Sequence, residues 1–169
     1  SSLKAALGTD VLDGQETPHD PKIRVAPDRL VNIMRKLKSD PNLSFDQLLL
    51  ISAVDRVAES RFDLVYHLAS SVRRHRLAVS VQLPRSSPRV PTVSDVWRTA
   101  DWHEREEYDL MGIEFEGHPD LSRILLPDDW VGYPLRKDYQ FPDEYHGVDC
   151  KAWESPTWDW TDNPAETAA

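Results

Sequence analysis

The chain has one cysteine, Cys150, in 169 residues. A single thiol can neither close an internal disulfide nor supply the four ligands of an iron–sulfur cluster. Six glycines, none grouped into a phosphate-binding loop, leave little room for a dinucleotide fold. Apolar runs are short: Leu48-Leu49-Leu50-Ile51 has the size of a strand, far below the ~20 residues that span a bilayer. No basic-then-apolar secretion signal opens the sequence. Basic residues are outnumbered, 20 Lys and Arg against 29 Asp and Glu, for a formal net charge of -9. A chain of that sign is a poor ligand for nucleic-acid phosphates and for anionic lipid. These absences predict a soluble, intracellular protein with no nucleic-acid partner, one that meets a membrane only through other proteins.

What is present reads as α+β. A short strand is expected at Lys22–Val25. Pro27 and Asp28 suit the first turn of a helix, Leu30, Ile33, Met34 and Leu37 recur at i, i+3, i+4 and i+7, and Asp40-Pro41 stops it. Leu48 to Ile51 reads as a buried strand ending near Asp55. Phe62, Leu64, Tyr66 and Leu68 alternate with Asp63, Val65 and His67, and Leu77, Val79, Val81 and Leu83 with Ala78, Ser80 and Gln82. These are two half-buried strands, joined by the polar Ser70–Arg76 stretch into an antiparallel pair. A helical region is expected from Thr92, with Val93, Val96, Trp97 and Ala100 on one face. A fresh cap follows at Asp101, with Glu104 at N3 closing a capping box and Gly112 just past the end. The expected domain, residues 1–117, is a small mixed or antiparallel sheet packed with helices.

Residues 118–169 read as a long extended tail. Prolines recur (Pro119, Pro127, Pro134, Pro142, Pro156), tryptophans fall at Trp130, Trp153, Trp158 and Trp160, and from Phe141 onward seven acidic residues face one base, Lys151. Such a segment cannot build its own core. Its aromatic anchors point to docking on a partner, because aromatic side chains are enriched at protein interfaces.

Three clusters invite chemistry. His103 faces Glu106 and Glu107 on a helix, but the zinc-protease pattern needs a second His where Glu107 stands, and di-iron sites use Glu before His. The structural reading is stronger: Arg105 and Asp109 form an i, i+4 pair, Glu104 caps, and an arginine from elsewhere holds one or two of the carboxylates. His118-Pro119-Asp120 could supply acid–base groups, yet no nucleophile accompanies them, and a hydrogen-bonded turn ordering the chain's exit fits better. Pro127-Asp128-Asp129-Trp130 followed by Gly132 to Tyr139 combines aromatics, Arg and an extended backbone, the materials of an interface. No residue is read as catalytic, cofactor-binding or metal-ligating.

The ordered series Glu104-Arg105-Glu106, Asp109-Leu110, Gly112-Ile113, His118-Pro119-Asp120-Leu121, Arg123-Ile124-Leu125 and Pro134-Leu135-Arg136-Lys137-Asp138 closely resembles the signature of the C subunit of respiratory complex I. The likeness covers about a quarter of the chain. Ser122 stands where that family usually has a basic residue or Thr, and Tyr133 where His is common. Pro127-Asp128-Asp129-Trp130 has a bacterial look. The resemblance implies a non-catalytic subunit of the hydrophilic arm, peripheral on the cytoplasmic face of the membrane. It implies no cofactor on this chain, with FMN and Fe–S clusters in partner subunits, and packing against the large quinone-site subunit and neighbouring Fe–S subunits. The complex passes electrons from NADH to quinone and couples this to proton translocation. Expected interface residues are His118, Asp120, Arg123, Trp130, Arg136, Lys137 and Asp138. The alternative is the equivalent subunit of a related membrane-bound hydrogenase or ferredoxin-dependent oxidoreductase.

Overall fold

The structure, a computed structural model, describes residues 11–15 and 21–150. Five strands form one mixed sheet: β1 (Val11–Gln15), β2 (Lys22–Val25), β3 (Gln47–Arg56), β4 (Arg61–Ser70) and β5 (His75–Pro84), in the order β1-β2-β5-β4-β3. Within it only β2 and β5 run parallel, and the crossover between them carries helix α1 (Leu30–Ser39), entered through a short 3-10 turn at Pro27–Arg29. β3, β4 and β5 form an antiparallel meander in which Leu64 faces both Ala53 and Val81. The alternation read from the sequence places Phe62, Leu64, Tyr66, Leu68, Leu77, Val79, Val81 and Leu83 on one buried face. Leu30, Ile33, Met34 and Leu37 of α1 join them in one core. The α+β expectation and the antiparallel pair are both found.

Several expectations are corrected. Leu48 to Ile51 is not buried throughout: Leu48 and Ile51 point inward, whereas Leu49 and Leu50 are 45% and 42% exposed. The cause is a bulge between Leu48 and Leu50 on an edge strand, which inserts one residue and lets positions three apart share a face. Residues 92–99 do not form a helix. Thr92 still pairs its N–H with Glu116 (3.0 Å), and the chain descends through turns closed by Val96 and Trp97 N–H groups on Val93 O. Val93, Val96, Trp97 and Ala100 are nevertheless all buried.

Helix α2 (Ala100–Met111) lies along β3, at the open edge of the sheet. An uncovered edge strand leaves backbone groups unpaired. Here Thr99 donates to Leu48 O (3.3 Å), and the Glu107 carboxylate accepts from the Ala53 N–H. The capping box is not formed. The helix begins two residues earlier, at Ala100 with Thr99 in the cap position and no side-chain cap, and Glu104 turns inward instead. Gly112 closes the helix as expected, at φ 71°, with N–H groups of Gly112 and Ile113 returned to Tyr108 and Glu107 carbonyls. A short parallel pair, β6 (Arg89–Pro91) with β7 (Glu114–Glu116), buries Val90 and Phe115.

The compact unit runs to Tyr139, past the expected boundary at Gly117, because backbone and side chains of residues 121–139 bond back to it. Residues 140–150 belong to a separate unit. Its described part is a hairpin, β8 (Glu144–Tyr145) and β9 (Val148–Asp149), turned by His146 and Gly147, both at positive φ. Trp153, Trp158 and Trp160, expected anchors of the tail, lie outside the described residues.

Candidate functional site

Residues 121–139 carry no helix or strand, yet two buried carboxylates hold them. The first is Asp109, on the last turn of α2, with its side chain fully enclosed. Its Oδ2 accepts the consecutive N–H groups of Ile124 (3.1 Å), Leu125 (2.8 Å) and Leu126 (3.0 Å), and its Oδ1 accepts Nη1 of Arg123 at 2.9 Å. Burial alone would raise the Asp109 pKa, but three backbone donors and a guanidinium outweigh it and hold the group below its ordinary value. Arg123 uses Nη2 to bind Trp130 O at 3.2 Å, so one residue ties both ends of the 123–130 loop.

The second anchor is Asp55, buried at the end of β3. Arg85 grips it through Nε to Oδ1 (2.9 Å) and Nη2 to Oδ2 (3.2 Å). Oδ2 also accepts the backbone N–H of Lys137 at 3.0 Å. Burial pushes the Asp55 pKa up, and the Arg85 and Lys137 bonds bring it net below the usual value. Arg85 pairs with Asp138 as well. Between the anchors, Leu135 N–H bonds Leu110 O (3.1 Å) and Arg136 Nε bonds Met111 O (2.8 Å). The Arg136 guanidinium stacks on Tyr133, 4.5 Å from the ring centre, and lies 5.3 Å from that of Phe62. A Cβ on Gly112 would stand 2.5 Å from the Tyr133 ring and 2.7 Å from Arg136 Nη2, so this layer needs glycine for space as well as for φ.

The expected interface residues divide. The His118 imidazole is enclosed by its own chain. Its Nδ1 accepts the Asp120 N–H (3.1 Å), so the neutral ring carries its proton on Nε2, which faces Asp101 O at 3.3 Å. Arg123, Arg136 and Asp138 are engaged within the chain, Trp130 is half-buried, and the Asp120 and Lys137 side chains are exposed. What the segment turns outward is apolar: Leu125 is 60% exposed, Val131 85% and Leu135 58%.

Helix α2 also departs from its expected pairing. Arg105 does not meet Asp109. It donates to Ser122 O (3.2 Å) and Oγ (2.8 Å) and stacks on the exposed Trp102. Glu104 is fully buried, accepting Val93 N–H at 2.7 Å and the Thr92 hydroxyl. Burial raises Glu104 and Glu107 to about 7 each, and the Tyr66 hydroxyl beside them, with no hydrogen-bond partner among the described residues, is pushed well above its usual pKa. His103 stands 3.9 Å from Glu106, while Glu107 points into the sheet edge, so these three do not converge. Among the described residues no group of three or more His, Cys, Asp or Glu could hold a metal, and no helix is long and apolar enough to cross a membrane. Asp55, read from the sequence only as a strand end, and Arg85, unremarked there, carried one signal each: a charged residue at the close of an apolar strand.

The family described as respiratory-chain NADH dehydrogenase, 30 Kd subunit, matches residues 23–145. Relatives named as the C subunit of NADH-quinone oxidoreductase include that of Chloroherpeton thalassium, 44% identical over 86% of this chain and 61% of its own length. That of Roseiflexus castenholzii is 44% identical over 80% of this chain and 79% of its own, and that of Geobacter sulfurreducens 43% over 83% and 88%. The chain thus spans about three fifths of the first of these relatives and most of the other two. Among solved structures it is similar to a chain of the archaeal membrane-bound sulfane sulfur reductase (TM-score 0.72, 29% identity, 82% of this chain and 84% of that one). It is also similar to the trypsin-resistant fragment of Nqo5 (TM-score 0.62, 32% identity, 71% and 96%). The chain belongs to the family of 30 Kd subunits of respiratory-chain NADH dehydrogenase.

Proposed function

We propose that this chain is a non-catalytic structural subunit of the hydrophilic arm of an NADH–quinone oxidoreductase. It sits on the cytoplasmic face of the membrane and scaffolds the large quinone-site subunit beside the neighbouring Fe–S subunits. The partners hold FMN and the Fe–S clusters, and the whole complex moves electrons from NADH to quinone while translocating protons. The observation that carries this reading is the 121–139 segment. A stretch without regular structure is fixed by two buried carboxylates and presents Leu125, Val131 and Leu135 to the outside. Ordering a backbone costs about 1–2 kcal/mol per residue, so a surface so fixed is preorganised for a rigid partner.

The test is gentle purification from membranes through a tag on this chain, with mass spectrometry of what is retained and an NADH–quinone activity assay. Flavin- and cluster-bearing subunits with quinone-dependent NADH oxidation are expected. The likeness to a chain of the sulfane sulfur reductase favours a second reading, the equivalent subunit of a related membrane-bound hydrogenase or ferredoxin-dependent oxidoreductase. Recovery of such electron-input subunits would select it. A chain recovered alone would contradict both.

A further inference from the structure

The direct charge pairing around the second anchor is uneven. Arg85 takes the direct contacts of both Asp55 and Asp138, so these carboxylates act on Arg136 only from a distance. Arg136 has no carboxylate within 4 Å among the described residues. One of its donors, Nε, is used on a carbonyl, while Nη1 and Nη2 make no hydrogen bond and are not sealed from solvent. Its orientation is nevertheless fixed, by the Met111 carbonyl, by the Tyr133 ring and by Phe62, whose buried ring also lies 5.9 Å from Arg85. Burial and the like charge of Arg85 press the Arg136 pKa down and outweigh the opposing effects of Tyr133, Asp55 and Asp138. The exposed Lys137 side chain adds a second unpaired cation next to the exposed Leu135.

We propose that Arg136 is a socket for a carboxylate of the partner subunit that covers residues 121–139, received by the two free terminal nitrogens as a side-by-side pair. This rests on the docking reading above. A protein surface that covers Leu135 also desolvates Arg136, and an unpaired guanidinium shut away from water is strongly unfavourable. A carboxylate matches the planar fork with two parallel bonds. Arg85, Arg136 and Lys137 outnumber Asp55 and Asp138 by one charge, and in a chain of net charge -9 this local cationic surplus selects an acidic group from outside.

The test uses the whole complex, purified through a tag on this chain. Treatment with a zero-length carbodiimide should couple the Lys137 amine to an Asp or Glu of the partner, the residue seated at Arg136 or its immediate neighbour. R136Q and R136K should each release the partner about tenfold more readily in a salt-wash series, since lysine keeps the charge but not the fork. R136E should be rescued when the coupled partner carboxylate is changed to Arg. The coupling is measured on the unmodified chain, so it stands even if a variant folds poorly. Partner subunits retained by the unmodified chain, with no Lys137 coupling and wild-type salt tolerance in R136Q, would overturn the socket alone. Failure of the unmodified chain to retain any partner would overturn the docking reading and the socket with it.

Discussion

Arg123 and Asp109 meet at 2.9 Å, and the carboxylate that receives the guanidinium also receives three consecutive backbone N–H groups from the residues just after it. A buried carboxylate surrounded by donors in this way fixes the path of the chain leaving the domain. Asp109→Asn keeps the shape but replaces one acceptor oxygen by a donor and removes the charge. It should destabilise the protein by about 2–4 kcal/mol and open residues 121–130 to protease. Chemical denaturation and limited proteolysis read both effects. Arg123→Ala, which leaves the three backbone donors in place, should cost less.

Asp55→Asn should loosen the other end. Arg85 then keeps only Asp138, an exposed partner, and the Lys137 N–H loses a charged acceptor. The expected loss is about 2–3 kcal/mol, seen in denaturation, with faster amide exchange at Lys137.

Gly112→Ala combines left-handed strain of about 1–2 kcal/mol with displacement of Tyr133 and Arg136. The melting temperature should fall, and residues 133–136 should become protease-sensitive.

Glu107 gives a pH dependence whose sign follows from its raised pKa. The ordinary value is 4.5 and the folded value about 7, so the folded state binds the proton more tightly. Its contribution is full below about pH 4.5 and is lost as pH rises through about 7. Glu107→Gln, which resembles the protonated form, should be more stable than the parent at pH 8 by about 1–3 kcal/mol and indistinguishable from it at pH 4. Denaturation midpoints at the two pH values decide this. Asp109 and Asp55 act in the opposite sense: their depressed values stabilise above the ordinary 3.8 and are lost in acid below it.

The core was legible because its signals are local. Phe62 to Leu68 and Leu77 to Leu83 alternate with period two, Leu30 to Leu37 recur with the helical period, and Gly112 sits where a left-handed stop is needed. The errors occur where distant residues outbid local ones. Glu104 has the spacing of a capping box, but the Thr92 hydroxyl and Val93 N–H, buried with it, are stronger claims than an exposed helix end. Asp109 could reach Arg105, yet Arg123 and a run of N–H groups fourteen and more residues away satisfy it better. The Asp55 bond to Lys137 spans 82 residues and leaves no pattern in sequence. β6 and β7, three residues each, are too short to show a period. The signature residues were recognisable, but which of them face inward was not: Asp109, His118 and Arg123 hold the chain together, leaving the outer face to Leu125, Val131 and Leu135.

The most direct test of the docking claim is hydroxyl-radical footprinting of the intact purified complex, read residue by residue on this chain. Val72, 77% exposed on the β4–β5 turn, serves as the internal control. The account predicts that Leu125, Val131 and Leu135 are protected relative to Val72. Equal labelling at all four would mean that the 121–139 surface faces water in the assembled complex, and would contradict it.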